Sequence, residues 1–274
     1  MKLTVLGSGT SHGIPVIGCS CPVCSSTDPR DKRMRASLFI QGDRGEQVII
    51  DTGPEFRLQA LRAGISALDA VFLTHAHADH VHGLDDVRPL SYEREIPIYG
   101  NSQTMKEIEE RFIYAFINTQ RGGGKPRISL NPVSSPVRIG ALTLTPVPVK
   151  HGTLDILGWM IQEAGTLGPG EKSPFAVYLT DTSAIPAESL DLIQGTEILI
   201  IDGLRERVHE THFSFEQALD AARAIGAHQT YLTHICHSHS HEEIEEYCNR
   251  YQETHSLGAQ FIAPGFDGLE LLLP

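Results

Sequence analysis

Thr74-His75-Ala76-His77-Ala78-Asp79-His80 constrains this chain more than any other stretch. Ahead of it, Asp69 to Leu73 is apolar and β-branched, which predicts a short buried strand. Four side chains able to ligate a metal therefore crowd onto the loop leaving that strand's C-terminal end. Imidazole together with carboxylate suits zinc, manganese or iron. So tight a turn does not easily wrap all four donors around one ion. The spacing predicts a split, with His75 and His77 on one ion and Asp79 and His80 on its neighbour. Two such ions can share a hydroxide and clamp a phosphoryl or acyl oxygen. A solvated His-rich loop is the plain alternative, but such donors rarely gather at a strand end without a task.

A second cluster lies near the N-terminus, where Cys19, Cys21 and Cys24 account for three of the five cysteines. In a reducing compartment this spacing points to metal rather than disulfides. Three thiolates need a fourth donor from elsewhere to close a tetrahedral zinc site. His237 is the best candidate and Cys236 the alternative. Such a site would be structural, stapling the N-terminal loop to the body. The bland reading is three small buried hydrophobes.

Hydrophobic residues make up 41% of the 274 and charged residues 20%, enough for a substantial core in one domain spanning 1–274. The net charge of −12 argues against a broad basic surface for a nucleic-acid backbone. An anionic substrate would have to be attracted locally, by metal ions. The apolar run at Leu3 to Leu6 is too short for a signal peptide, and no stretch is long enough to span a membrane. Cytoplasmic residence is the expectation.

Along the chain, Leu3 to Leu6 reads as a first strand entering a Gly-rich turn that carries His12, and Ala36 to Ile40 with Gln47 to Ile50 as a hairpin. Pro54 to Ala63 reads as a helix closed by Gly64, and Ser102 to Asn118 as an amphipathic one. Asp85, Asp86 and Arg88 are expected to pair locally, and His82 is spare. Residues 120–125 and 165–173 read as loops. Ile156 to Gln162 should pair with Phe175 to Thr180, and Glu197 to Ile201 and Gln229 to Thr233 are further strands. Ser214-x-x-Gln217 can cap the helix that runs to Ile225. Glu242 to His255 is a last helix, with closing strands within 259–273. Strands run into Asp51-Thr52-Gly53 and Asp181-Thr182-Ser183, a hint of internal duplication.

His-x-His-x-Asp-His at 75–80 resembles the signature of the metallo-β-lactamase fold superfamily of hydrolases. With Cys-x-Cys-x-x-Cys at 19–24 and His-x-x-His at 234–237, the chain resembles the PhnP group of phosphodiesterases. These act in phosphonate breakdown on a ribosyl cyclic phosphate, and on 2′,3′-cyclic nucleotides. The resemblance implies an α/β (α+β) fold, the αββα sandwich of two mixed β-sheets flanked by helices. It implies His75, His77 and His151 on a first metal, Asp79, His80 and His234 on a second, Asp181 bridging, and Asp51 bracing the loop by hydrogen bonds. Two Mn²⁺ or Zn²⁺ ions would serve the active site, manganese being favoured, and one Zn²⁺ the cysteine site. His212 resembles the histidine that superfamily phosphodiesterases place beside the scissile phosphate, and with Asp79 it would be catalytic; His209 is its rival.

The implied reaction is hydrolysis of a small or cyclic phosphodiester by a metal-bridging hydroxide. Such an enzyme would have a small phosphodiester as its partner, no membrane, no large nucleic acid, and a homodimer left open. Two alternatives share features of the chain. One is an RNA-processing nuclease like tRNase Z, whose basic arm is not seen here; the other is a non-catalytic metal-binding protein like PqqB, whose metal motif usually departs from the full one kept here.

Overall fold

Alternation within the strands dictates the layers. Val48 and Ile50 join one buried cluster and Ile49 another, and Ile198 and Ile200 separate from Leu199 and Ile201 in the same way. Strands apolar on both faces need cover on both. The chain meets that need with two sheets face to face and helices outside, in the computed structural model described here for residues 1–117, 124–165, 174–255 and 260–273.

The first six strands are β1 (Lys2–Gly7), β2 (Ser37–Gln41), β3 (Gln47–Ile50), β4 (Ala70–Phe72), β5 (Ile96–Gly100) and β6 (Ile128–Pro132). The next seven are β7 (Val137–Ile139), β8 (Leu142–His151), β9 (Leu154–Glu163), β10 (Phe175–Leu179), β11 (Ile198–Asp202), β12 (Gln229–Thr233) and β13 (Phe261–Pro264). Strand β14 (Glu270–Leu272) returns to the first sheet beside β1, giving two seven-stranded sheets ordered β14-β1-β2-β3-β4-β5-β6 and β13-β12-β11-β10-β9-β8-β7. Each is mixed: β3 to β6 run parallel in one, and β10 to β13 in the other. The metallo-β-lactamase αββα sandwich implied by the motifs is the architecture found.

Between the sheets, Phe72 meets Trp159 edge to face at 4.9 Å, both fully buried. Phe72→Ala should cost about 3–5 kcal/mol, the usual toll of emptying a buried aromatic site. A fall in urea midpoint of under about 1 kcal/mol would show that this contact does not hold the sheets together.

Outside, the helix Phe215–Ile225 starts at a capping box between Ser214 and Gln217 and ends at Gly226 in the left-handed region. Gly64 likewise has φ +66°, closing the helix Phe56–Arg62. The last helix, His241–His255, matches its expected span within one residue.

Three expectations need correction. The helix expected over 102–118 is two pieces, Ser102–Arg111 and Ile113–Phe116, because Phe112 turns to φ −108°, ψ 33°. Asp85 accepts from Tyr114 and Arg88 donates to the Gly124 carbonyl, so the expected local ion pair is not made. Strand β6 was not anticipated. The loops expected at 120–125 and 165–173 lie largely outside the described residues. Among the described residues, no helix is long and apolar enough to cross a membrane.

The C-terminal segment is tied back through Asp267, whose carboxylate accepts from the Ser8 amide and hydroxyl and from the Met34 amide. Burial, against those hydrogen bonds, pushes this acid up to about 6. A raised carboxyl contributes stability at low pH that is lost as pH rises through about 6. The stability difference between wild type and Asp267→Asn should therefore change between about pH 4 and about pH 6. Parallel urea curves across that window would contradict it.

Candidate metal centre

The candidate site forms where parallel strands of both sheets end. Asp51 follows β3, Asp181 lies just beyond β10, and His234 follows β12. All three adopt the left-handed region, at φ 63°, 54° and 58°. Such a conformation is uncommon for a residue with a Cβ and marks places where the fold imposes the geometry. Here it turns the chain sharply at the strand end. Asp51 and Asp181 occupy equivalent places in the two halves, which explains the repeated Asp-Thr motif.

Four donors, Asp79, His80, Asp181 and His234, lie with ligand atoms within 4.8 Å of one another, and His75, His77 and His151 form a second such set. Asp181 joins the sets: its Oδ2 is 3.1 Å from His80 Nε2 and its Oδ1 3.3 Å from His234 Nε2. It also groups with His151 and His212. The structure thus brings together all seven side chains expected at a dinuclear site.

The surrounding hydrogen bonds aim these rings. Thr74 donates its amide to Asp51 Oδ1 and its hydroxyl to Oδ2. His80 Nδ1 sits 2.8 Å from the same Oδ2. The Thr74 hydroxyl proton being spent on Asp51, its oxygen accepts from His75 Nδ1 at 3.0 Å. His151 Nδ1 donates to the Thr211 carbonyl at 2.8 Å. In His75, His80 and His151 the Nε2 lone pair is therefore left to face the cage, the usual way imidazole ligands are oriented. Asp51 is saturated by these donors and braces the loop, as its place in the sequence implied. Gly53 lets the loops meet, because a Cβ there would lie 2.3 Å from the Asp79 carbonyl.

A metal fits this donor set. His75 Nε2, His80 Nε2 and His234 Nε2 are buried without a hydrogen-bond partner. Leaving buried polar atoms unsatisfied is costly, so several converging on one spot point to a missing cation. Charge agrees. Burial disfavours a charge on His80, yet Asp181, Asp51 and Asp79 together raise it well above its ordinary value. Burial also opposes the Asp181 charge, but His234 and His80 hold it well below the carboxylate range. The cage draws in positive charge, and a bound cation would displace that proton.

His212 stands at the edge of the cage, its ring 4.8 Å from that of His151 and 4.6 Å from that of His234. Its Nδ1 is 2.8 Å from Asp202 Oδ2, which also accepts from the Thr182 amide. Burial pushes His212 below its ordinary value, against the pull of Asp181 and Asp79. Burial likewise pushes Asp202 up, but the Thr182 amide and the His234 ring favour its charged form. His209 lies one ring farther out, 5.2 Å from His212. Sequence reasoning passed over Asp202, although a third strand running into Asp-Gly was a usable signal. His12 and His82 are exposed and belong to no cluster.

In the N-terminal cluster, Cys19, Cys21 and Cys24 Sγ lie 3.4, 3.5 and 3.4 Å from His237 Nδ1. Tetrahedral zinc, with bonds of about 2.3 Å to sulfur and about 2.0 Å to nitrogen, separates such donors by about 3.5 Å. Cys236 instead lies against Ser238, 3.1 Å away. The Cys24 amide stabilises the Cys21 thiolate and, against burial, lowers that thiol to about 6. Arg33, fully buried, adds a second tie: it donates to the Cys236 and His239 carbonyls and pairs with Asp31 at 3.1 Å.

Comparison with known proteins agrees with this geometry. A family model described as a beta-lactamase superfamily domain matches residues 46–235. A crystal structure of a diphosphatase of the PhnP family is 39% identical, superposes with a TM-score of 0.82, and covers 98% of this chain and 96% of its own. An octanoyltransferase of Porphyromonas gingivalis is 39% identical over all of this chain, which spans only 52% of that protein. Coenzyme PQQ synthesis protein B of Rhodopseudomonas palustris is 27% identical over 76% of this chain and 70% of its own length. A zinc-bound PqqB from Methylobacterium extorquens, 17% identical with a TM-score of 0.77 over the full length of both chains, shares the fold. The cage at the strand ends, the matched span and the full-length likeness place this chain in the metallo-β-lactamase superfamily, in its PhnP-like group.

Proposed function

We propose that the chain is a metal-dependent phosphodiesterase acting on small or cyclic phosphodiesters, of the ribosyl 1,2-cyclic phosphate or 2′,3′-cyclic nucleotide type. The observation that carries this reading is the complete two-set cage joined by Asp181, with the His212–Asp202 pair at its edge. His75, His77 and His151 would hold one Mn²⁺ or Zn²⁺, Asp79, His80 and His234 the other, and Asp181 both. Bound there, such ions supply Lewis acidity toward phosphoryl oxygens and acidify water.

The chain's own residues do the remaining work. Asp51, Thr74 and the Thr211 carbonyl fix the imidazoles, so little reorganisation is needed when substrate arrives. Asp79 offers a carboxylate oxygen, 3.2 Å from His80 Nε2, that can orient the attacking water. Asp202 takes the Nδ1 proton of His212, leaving Nε2 to carry a second proton to the departing oxygen. His212 rather than His209 is the general acid in this reading, because its ring adjoins both metal sets.

The 39% identity to a PhnP-family diphosphatase supports hydrolysis at phosphorus and adds diphosphates to the substrates worth testing. Octanoyl transfer belongs to a protein about twice this length and is not carried over. A tRNase Z-like nuclease shares the fold, but a chain of net charge −12 offers little to a tRNA backbone. The test is turnover of bis(p-nitrophenyl) phosphate, 2′,3′-cyclic AMP and a precursor tRNA by manganese- and zinc-loaded protein. Hydrolysis of the cyclic nucleotide but not the tRNA is expected. Cleavage of the tRNA alone would favour the nuclease, and no turnover at all a PqqB-like binding protein.

The cysteine cluster with His237 is, in our reading, a separate structural zinc site, since thiolates select zinc over manganese. Only two residues separate His237 from His234, so zinc there would steady a catalytic ligand. Cys21→Ser should lower the thermal midpoint, remove one zinc per chain and weaken metal retention at the cage, whereas Cys236→Ser should be mild. Elemental analysis checks this. Full zinc content in Cys21→Ser, or a Cys19–Cys24 disulfide under reducing conditions, would count against it.

A further inference from the structure

We propose, resting on the phosphodiesterase reading above, that Arg205, Arg207 and His209 form an anion subsite beside the metal cage that receives a second phosphate of the substrate. The segment that carries them is pinned. Leu204 donates to the Phe213 carbonyl, Phe213 to that of Thr182, and Phe215 to that of Arg205, at 2.7–3.0 Å. Cys236 in turn donates to the Leu204 carbonyl at 3.0 Å. A loop fixed at both ends presents its side chains with little ordering left to be done on binding.

Arg205 is half-buried and uses Nε to reach the Arg207 carbonyl at 3.2 Å. Its Nη1 and Nη2 have no hydrogen-bond partner among the described residues, and neither Arg205 nor Arg207 is in an ion pair with a carboxylate there. Other arginines around the cage are spent. Arg111 reaches the Ala76 carbonyl in the metal loop but pairs with Glu107 at 2.6 Å, and Arg35 pairs with Glu55. Of the acids on the same segment, Glu206 faces His239 at 3.4 Å and Glu210 is exposed.

His209 completes the set. The Thr211 amide donates to its Nδ1 at 3.3 Å, so the neutral ring carries its proton on Nε2 and offers a donor. Its ring lies 5.2 Å from that of His212, which adjoins the cage. The Arg205 charge reaches both rings, where it adds to burial in keeping protons off. In a chain of net charge −12, unspent guanidinium groups beside the reactive centre give an anion a reason to bind in one orientation. The substrate class is therefore a phosphodiester that carries a second phosphate, either across the same sugar or adjacent in a diphosphate.

Calorimetry on the metal-loaded protein tests this without turnover, using adenosine 3′-monophosphate, adenosine 3′,5′-bisphosphate and ADP. At least one two-phosphate ligand should bind about 10- to 100-fold more tightly than the monophosphate, the scale of added charge-assisted hydrogen bonds. The bisphosphate winning would place the second phosphate across the sugar, and ADP winning would place it adjacent. Arg205→Ala should remove most of that preference, Arg207→Ala part of it, and Arg205→Lys should restore some. Metal content and thermal midpoint identify any misfolded variant, and the exposed Arg207 keeps the test valid if Arg205→Ala does not fold. No preference in the wild type, or an unchanged preference in folded variants, would overturn the subsite. Intact preference with no diester hydrolysis would instead sink the phosphodiesterase reading.

Discussion

Replacing Asp181 by alanine should abolish phosphodiester turnover, a loss of about 10³-fold or more. This carboxylate is the one group that touches both halves of the cage, through His80 at 3.1 Å and His234 at 3.3 Å. Without it the two donor sets lose their shared oxygen ligands, and His80 loses the largest of the attractions that draw positive charge to it. The fold should survive. Asp181 lies beyond the end of β10, and its only printed hydrogen bond is from the neighbouring Thr180 hydroxyl. Because φ is 54° there, alanine carries a backbone cost, so Asp181→Asn, which keeps the shape, is the companion variant. Both should unfold cooperatively and bind fewer than two metals in the cage. Folded Asp181→Ala protein with wild-type activity and two metals would show that the bridge is misassigned.

The second large effect is expected at His212. His212→Ala should reduce kcat about 10²–10⁴-fold on esters with alkoxide-like leaving groups, the range for general acid catalysis. Nitrophenyl esters should suffer much less, since their leaving group needs no proton. Asp202→Asn should reproduce part of the loss, because it disturbs the 2.8 Å bond that orients the ring. An equal loss on both ester types would mean that His212 binds the phosphate rather than protonating the leaving oxygen. A large loss at His209 with none at His212 would move the acid one ring outward.

The site was legible where function is carried by neighbours in sequence. His75, His77, Asp79 and His80 sit on one loop, so their spacing alone suggested two sets. Asp51 and Asp181 announced themselves because equivalent strand ends carry the same short motif. His151 and His234 are single histidines, and only the family resemblance singled them out. Asp202 was missed for the opposite reason to His75: its partner, His212, lies ten residues on, and no spacing rule links a strand-end acid to a loop histidine. Arg33 stands in a run of basic residues that reads as solvated surface, and only the packed N-terminal loop shows it buried against Asp31. The break at Phe112 was equally invisible. Helical spacing continues through it, and the turn answers to packing rather than to a glycine or proline.

Metal stoichiometry against turnover tests the central claim most directly. The protein would be stripped of metal at the cage and refilled with Mn²⁺ in steps. Bound metal would be counted by elemental analysis, and hydrolysis of 2′,3′-cyclic AMP followed at each step. Activity should rise until two ions per chain are bound beyond the thiolate-held zinc, and should stay flat after that. Full occupancy with no hydrolysis of any diester, or undiminished hydrolysis by the fully stripped chain, would contradict it.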